Sequence, residues 1–271
     1  MKFKSIVTII ILMFVLVPPL TAQQRLSNEQ ILSLFNQANE AFRKANTGKN
    51  DSAQIKLYEQ AILGFEKIIN DGGIKNAGLY YNLANAYFLK QDIGRAILNY
   101  RRAENIDSSD TNVGKNLAFA RSKRIDKFSE KTQHRILKTL FFWHYDFGLK
   151  TRYLLTCIFF GSFFAVLTAI IWLGRKTPFV VSAVIFGTLL ICLLVSVAVE
   201  TAGRAKKIEG VITAARVVAR QGDAESYPAS FKEPLHAGAE FEVLEKRTGW
   251  LHIKLSDDSD TWIPTDTAAM I

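Results

Sequence analysis

Four histidines, two cysteines and a run of aspartates are the residues of this 271-residue chain best suited to chemistry, and their spacing assembles no site. His134, His144, His236 and His252 are scattered, and no HExxH, GxSxG, phosphate-loop or dinucleotide glycine pattern accompanies them. His144 stands beside Trp143 in a mixed aromatic and basic stretch, which places it in a membrane-surface segment rather than a ligand set. Asp257, Asp258 and Asp260 lack the spaced oxygen ligands and the glycine of a calcium loop, so they read as a solvated turn. Cys157 and Cys192 lie inside apolar runs with no CxxC or metal spacing. The polar segments hold no thiol at all, which suits an oxidising compartment. No carboxylates stand out as an acid and base pair. We therefore expect a non-catalytic chain that needs neither cofactor nor metal.

The charge is unevenly spread. Residues 23–150 hold 20 Lys/Arg against 13 Asp/Glu, whereas residues 208–271 hold 6 against 11. Much of the excess lies in Lys115, Arg121, Lys123, Arg124, Lys127, Lys131, Arg135 and Lys138, read as a solvated helix face near lipid headgroups. No recognition module accompanies the charge, so nucleic acid is not an expected partner.

Three apolar segments organise the chain. Lys2 and Lys4 precede "SIVTIIILMFVLVPPLTA", so residues 1–22 read as a signal peptide with Ala22 at the candidate cut. Leu20 is not the small residue favoured three before the cut, which leaves an uncleaved anchor open. Residues 153–173 and 178–199 each reach the ~20 apolar residues that span a bilayer core, and only "GRKT" separates them. They are expected to form a transmembrane hairpin that returns the chain to its starting side. Gly161, Ser162, Ala165, Ala183 and Gly187 would permit close helix contact. Residues 126–152 form a basic, aromatic juxtamembrane linker, with Trp143, Tyr145 and Tyr153 suited to an aromatic belt and Lys150 and Arg152 to headgroup level. Local positive charge favours a hairpin turn outside the cell, but the leading segment carries residues 23–150 outward. The expected arrangement is a multi-pass protein of the bacterial inner membrane with a cytoplasmic turn and both soluble domains periplasmic.

Residues 27–125 have helical periodicity and repeat themselves. The clearest unit is "AGLYYNLANAYFLKQDIGRAILNYRRAENIDSSD", residues 77–110, in which Tyr80, Leu83, Ala84, Tyr87, Ala96, Tyr100 and Ala103 carry a close resemblance to a tetratricopeptide repeat. An earlier unit runs from "FNQANEAFRK" to "YEQAILGFEKII", with Ala61 and Phe65 standing 35 residues before Ala96 and Tyr100. Its halves are separated by "ANTGKNDSAQIK", read as a loop insertion of about eleven residues against the usual tight turn. A third start, "TNVGKNLAFARSKRID", places Leu117 and Ala118 34 residues after Leu83 and Ala84, and reads as a capping helix. The resemblance implies a solenoid that binds proteins or peptides on its concave face. Asn39, Asn82, Asn85, Lys115 and Asn116 fall at or near concave positions, and Asn39 and Asn85 match the asparagine that related repeats use to hold a peptide backbone or carboxylate.

Residues 208–271 change to short alternating runs, "FEVLEK" and "LHIKL" among them, that suit half-buried antiparallel strands. Gly238, Gly249-Trp250 and Trp262-Ile263 carry a resemblance to a bacterial SH3-like domain, which implies a small all-β barrel and binding of peptide or cell wall. Trp250 and Trp262 are either a ligand face or core residues. Taken in order, signal, repeats, linker, hairpin and terminal domain resemble the BatE family of Bacteroides aerotolerance proteins. That resemblance implies a scaffold beside membrane proteins with von Willebrand-type domains, in an aerotolerance or envelope-stress system. A peptidoglycan-binding tether is the alternative.

Overall fold

Helices of the front half start where a short polar side chain can accept a backbone N–H left open by the first turn. Ser27 accepts from Gln30 N while the Gln30 side chain accepts from Ser27 N, a reciprocal box that opens α1 (Asn28–Thr47). After α2 (Asp51–Asn70), Asn76, Asp92 and Asp110 cap α3 (Ala77–Leu89), α4 (Ile93–Ile106) and α5 (Thr111–Ser122). The computed structural model describes residues 26–48, 51–127, 139–145, 147–204 and 208–271; the expected signal segment, 1–22, lies outside them, as does residue Tyr145's side chain. Among the described residues there are eight α-helices, completed by α6 (Phe142–Tyr145), α7 (Leu149–Leu173) and α8 (Thr177–Arg204).

The chain divides into two compact units between Lys75 and Asn76. In the first, α1 and α2 run antiparallel, since Gln54 Nε2 donates to Ala45 O while Phe35 meets Phe65 further along. The expected loop insertion is instead built into the helices. Residues 45–47 extend α1, and residues 51–56 begin α2. Tyr58 Oη donates to Asn46 Oδ1 at 2.8 Å, and Ala45 is fully buried, so the extra turns gain contacts that a loop would forgo.

In the second unit α3 and α4 are antiparallel, with Tyr87 beside Arg95 and Tyr80 beside Arg102. Leu83, Ala84, Ala96, Ile97, Tyr100 and Ala103 are buried between them. The single helix α5 adds Val113, Leu117 and Ala120 to that core.

Two helices, α7 and α8, are long and apolar enough to cross a membrane, with mean hydropathies of 2.4 and 2.8. They extend past the expected spans and pack along a seam of Leu190, Leu193 and Ser196 on α8. Of the small residues expected at this contact, Gly187 is used: a Cβ there would lie 3.1 Å from the Phe163 ring, whereas one on Gly161 would meet nothing within 4 Å.

The C-terminal strands are β1 (Glu209–Ile212), β2 (Arg216–Val217), β3 (Leu235–His236), β4 (Glu240–Arg247), β5 (Trp250–Leu255), β6 (Asp260–Pro264) and β7 (Ala268–Met270). They form an antiparallel five-stranded sheet ordered β6-β5-β4-β1-β7 and a separate β2-β3 pair. Ile212, Val217, Leu235, Phe241, Leu251, Ile253, Leu255 and Ile263 make its core. The expected closed barrel is not formed. The outer side of β6 is taken by an isolated bridge between Arg220 and Trp262, and Arg102 Nη2 donates to Met270 O of β7 at 2.7 Å. Each edge is thus covered by another part of the chain instead of by the other edge.

Candidate functional site

Tyr81 and Asn85 stand one turn apart on α3, and this spacing puts both on the same face. Asn116 of α5 donates through Nδ2 to Tyr81 Oη at 3.0 Å and to Asn85 Oδ1 at 3.1 Å. Tyr100 of α4 donates its hydroxyl to the same Asn85 oxygen at 2.5 Å. Burial, the largest influence, pushes the Tyr100 hydroxyl well above its ordinary range despite a hydrogen bond with Asn116, so it remains a neutral donor. Asn85 Oδ1 is thereby committed inward, which leaves its amide nitrogen and the Tyr81 hydroxyl proton as donors for other acceptors. Two of the expected concave-face residues, Asn85 and Asn116, are therefore joined in one network. Asn82 is half-buried on α3, Lys115 is exposed on α5, and Asn39 is half-buried on α1 in the other unit. Replacing Tyr100 with phenylalanine should lower stability by about 1 kcal/mol, the usual worth of one such bond, read as a shift in denaturant midpoint.

A second constellation was hidden in the sequence. Glu240, at the start of β4, accepts from Arg121 Nε at 2.8 Å and Arg121 Nη2 at 2.7 Å, a two-pronged pairing, and from Arg124 Nη1 at 3.3 Å. Arg101 Nε also lies 3.3 Å from Glu240, without hydrogen-bond alignment, while its other nitrogens engage Glu104 and Glu209. One residue into the linker, Asp126 accepts from both His236 N at 2.6 Å and His236 Nδ1 at 2.9 Å. The sheet is therefore docked on α4 and α5. The approach is close: a Cβ on Gly94 of α4 would sit 2.8 Å from Ile212 O. Arg121 and Arg124, read from sequence as a solvated face, point instead at the acidic sheet. The signal that could have found them is the opposite charge of the two segments.

Burial alone would raise the Glu240 carboxyl above its ordinary 4.5, but the hydrogen bond and charge of Arg121, with the charges of Arg101 and Arg124, outweigh it and hold the group lower. A carboxyl that binds its proton less readily when folded contributes stability that is complete above pH 4.5 and lost as the pH falls through the lower folded value. Acid titration of Glu240→Gln should accordingly show a shallower loss of stability below that pH than the parent chain.

Alternation along the strands puts Trp250, His252 and Trp262 on the sheet face opposite the core. Trp262 is 8% exposed, its ring stacked on His252 at 4.7 Å between centroids and 4.8 Å from the Arg247 guanidinium. Arg247 is held in turn by Asp223 and Glu245, and His252 by Asp260. Trp250 is half-buried beside this group. The aspartate run is likewise spent locally: Asp257 accepts from Ser259 N and Oγ, and Asp258 pairs with Lys254.

At the foot of the apolar hairpin, Arg152 is only 2% exposed. Expected at headgroup level, it turns inward and donates to Ser196 Oγ at 2.9 Å and Glu200 Oε2 at 3.0 Å across the helix pair. His144 Nδ1 lies 2.8 Å from the same Ser196 oxygen and 3.1 Å from Arg152 Nη1. No protein-family model matches the chain, and no curated protein matches it.

Proposed function

We propose that the chain is a non-catalytic, membrane-anchored adaptor that holds an acceptor-rich protein segment on the Tyr81–Asn85–Asn116 face. The observation that carries this reading is the inward commitment of Asn85 Oδ1 to Tyr100 and Asn116. It turns the remaining amide and hydroxyl protons into donors, and the exposed Lys115 ammonium adds positive charge next to Asn116. Backbone carbonyls or carboxylates are the groups such a face would hold.

The repeat reading of the helices supports the same use, since a tetratricopeptide-like pair presents its first helix to the concave side and α3 carries Tyr81, Asn82 and Asn85. The sheet, which we take as SH3-like in strand order though open, contacts α4 and α5 through Arg101, Arg102, Arg121 and Arg124 and does not involve the Asn85 network. The apolar pair α7 and α8 anchors the assembly in the bacterial inner membrane, with the extramembrane parts in the periplasm. Membership of the BatE group, and a membrane partner with a von Willebrand-type domain, follow from the resemblance of the domain order. Wall binding is not carried further, because the Trp262 ring that a wall ligand would use is already covered by His252 and Arg247.

Photo-crosslinking from position 82 of the full chain in native membranes should capture a protein, and the yield should drop several-fold with Asn85→Leu and Asn116→Leu together. Equal yields with and without those changes would overturn the binding face. Cysteines placed at Gly48 and Asp257 should both react with an impermeant reagent on cells with opened outer membranes; reaction only after lysis would reverse the orientation.

A further inference from the structure

The aromatic stretch expected beside the membrane presents an apolar surface whose attachment to the hairpin the sequence did not disclose. Leu140, Phe141 and Phe142 are 61%, 45% and 50% exposed in succession, an arrangement that water disfavours. Their neighbours pack edge-on among themselves and not into a core: Phe141 and Phe142 lie 5.5 and 5.4 Å from Trp143, and Phe142 lies 6.1 Å from Phe147. This aromatic group is tied to both apolar helices at one point. His144 Nδ1 reaches Ser196 Oγ of α8 and Arg152 Nη1 of α7. Arg152 also pairs through Nη2 with Glu200 at 3.0 Å, so these two charges offset one another within the contact.

The height of this contact can be placed. From residue 153 to residue 173 the α7 backbone rises about 30 Å at 1.5 Å per residue, which matches the ~30 Å hydrocarbon core. Arg152, Ser196, Glu200 and His144 therefore stand at one boundary of that core, while Trp172, 83% exposed, marks the other. Headgroup boundaries are where aromatic rings with a polar neighbour are most stable. The exposed surface is also continuous with α7, whose Tyr153 and Leu154 are 48% and 62% exposed next to Arg152.

We propose that the segment carrying Leu140, Phe141, Phe142, Trp143 and Phe147 is a membrane-surface foot, whose partner is the boundary between lipid headgroups and acyl chains, and that His144 is the positioning residue that locks it to the hairpin. The foot lies in the bilayer surface without crossing it, and gives the hairpin a third lipid contact that resists tilting and withdrawal. The proposal rests on the membrane-anchoring reading, and its test separates the two.

The full chain carrying Cys157→Ala and Cys192→Ala is reconstituted into vesicles of phosphatidylcholine and phosphatidylglycerol. Nitroxide is attached at Phe142→Cys in the foot, Leu154→Cys on the hairpin or Lys115→Cys on α5. Collision with oxygen, which prefers lipid, is then compared with collision with a water-soluble nickel chelate. The ratio at position 142 should exceed that at 115 several-fold and fall below that at 154. With His144→Ala the ratio at 142 should drop toward that at 115 while 154 keeps its value. An aqueous ratio at 142 with 154 in lipid overturns the foot and leaves the anchor standing. Protection of 142 from both reagents overturns it in favour of a protein occupant. An aqueous ratio at 154 overturns the anchor itself, and an unmoved ratio at 142 in His144→Ala removes the positioning role.

Discussion

Glu240→Ala is expected to lower the stability of the second unit by about 3–5 kcal/mol, the range seen when one member of a buried ion pair is removed. The carboxylate is 16% exposed and sits among Arg101, Arg121 and Arg124. Its loss leaves Arg121 and Arg124 facing one another, and Arg124 already has burial and the Arg121 charge working against its protonated form. Arg101 fares better, because Glu104 and Glu209 remain. Burial opposes the Arg101 charge most, yet the attraction of Glu209, Glu240 and Glu104 still raises its affinity for the proton. We therefore expect the lower end of the range, with Glu240→Gln milder because it keeps acceptors. The check is denaturant unfolding of the full chain in mild detergent. A loss under about 1 kcal/mol, the worth of a surface pair, would mean that close packing around Gly94 and not charge holds the sheet in place.

Arg152→Leu should be the other severe change, lowering stability by about 2–4 kcal/mol in detergent or bilayer, because it leaves the largely buried Glu200 charged without its Arg152 partner. The Glu200 side chain is 20% exposed and Arg152 3%, so neither charge can turn fully to water in place. The informative comparison is the pair of changes made together. Arg152→Leu with Glu200→Leu removes both charges and should recover most of the loss, since a paired charge contributes little net stability beyond well-packed apolar groups. Unfolding in a graded denaturing detergent measures all three chains. If the double change is as harmful as the single one, the ion pair carries more than its own neutralisation.

Both clusters join residues far apart in the chain, and that separation explains what the sequence did and did not disclose. Helices could be read because their signals are local: helical periodicity, and the small residues Ala84, Ala96 and Ala103 at repeat spacing. The two apolar helices were legible from length alone. Asn85 and Asn116 could both be placed near the concave face from the repeat pattern, but their hydrogen bond and Tyr100 as a third member required the helix packing. The ring of arginines around Glu240 had no local signature at all. Arg121 and Arg124 look like any basic helix end until the acidic sheet is folded, and nothing near Arg152 in the chain points to Glu200 as its partner. The barrel was over-read for a similar reason: strand alternation reports which face is buried, not whether two edges meet.

The contacts that dock the sheet also set an order of events during synthesis. Arg101 waits for Glu209, 108 residues later, and Arg102 for Met270, 168 residues later. Both apolar helices lie between, so α4 and α5 are made well before the sheet, with Arg101 paired to Glu104 of its own helix while Arg121 and Arg124 still wait for Glu240. Until β1 and β4 supply Glu209 and Glu240, that positive surface is open to other acidic chains, and contacts of such long sequence separation are slow to close. A chain stalled or cut before Glu209 would thus keep its two apolar helices and its first helices while presenting a sticky basic face, which makes synthesis of the acidic sheet the step at which the molecule becomes safe to its neighbours.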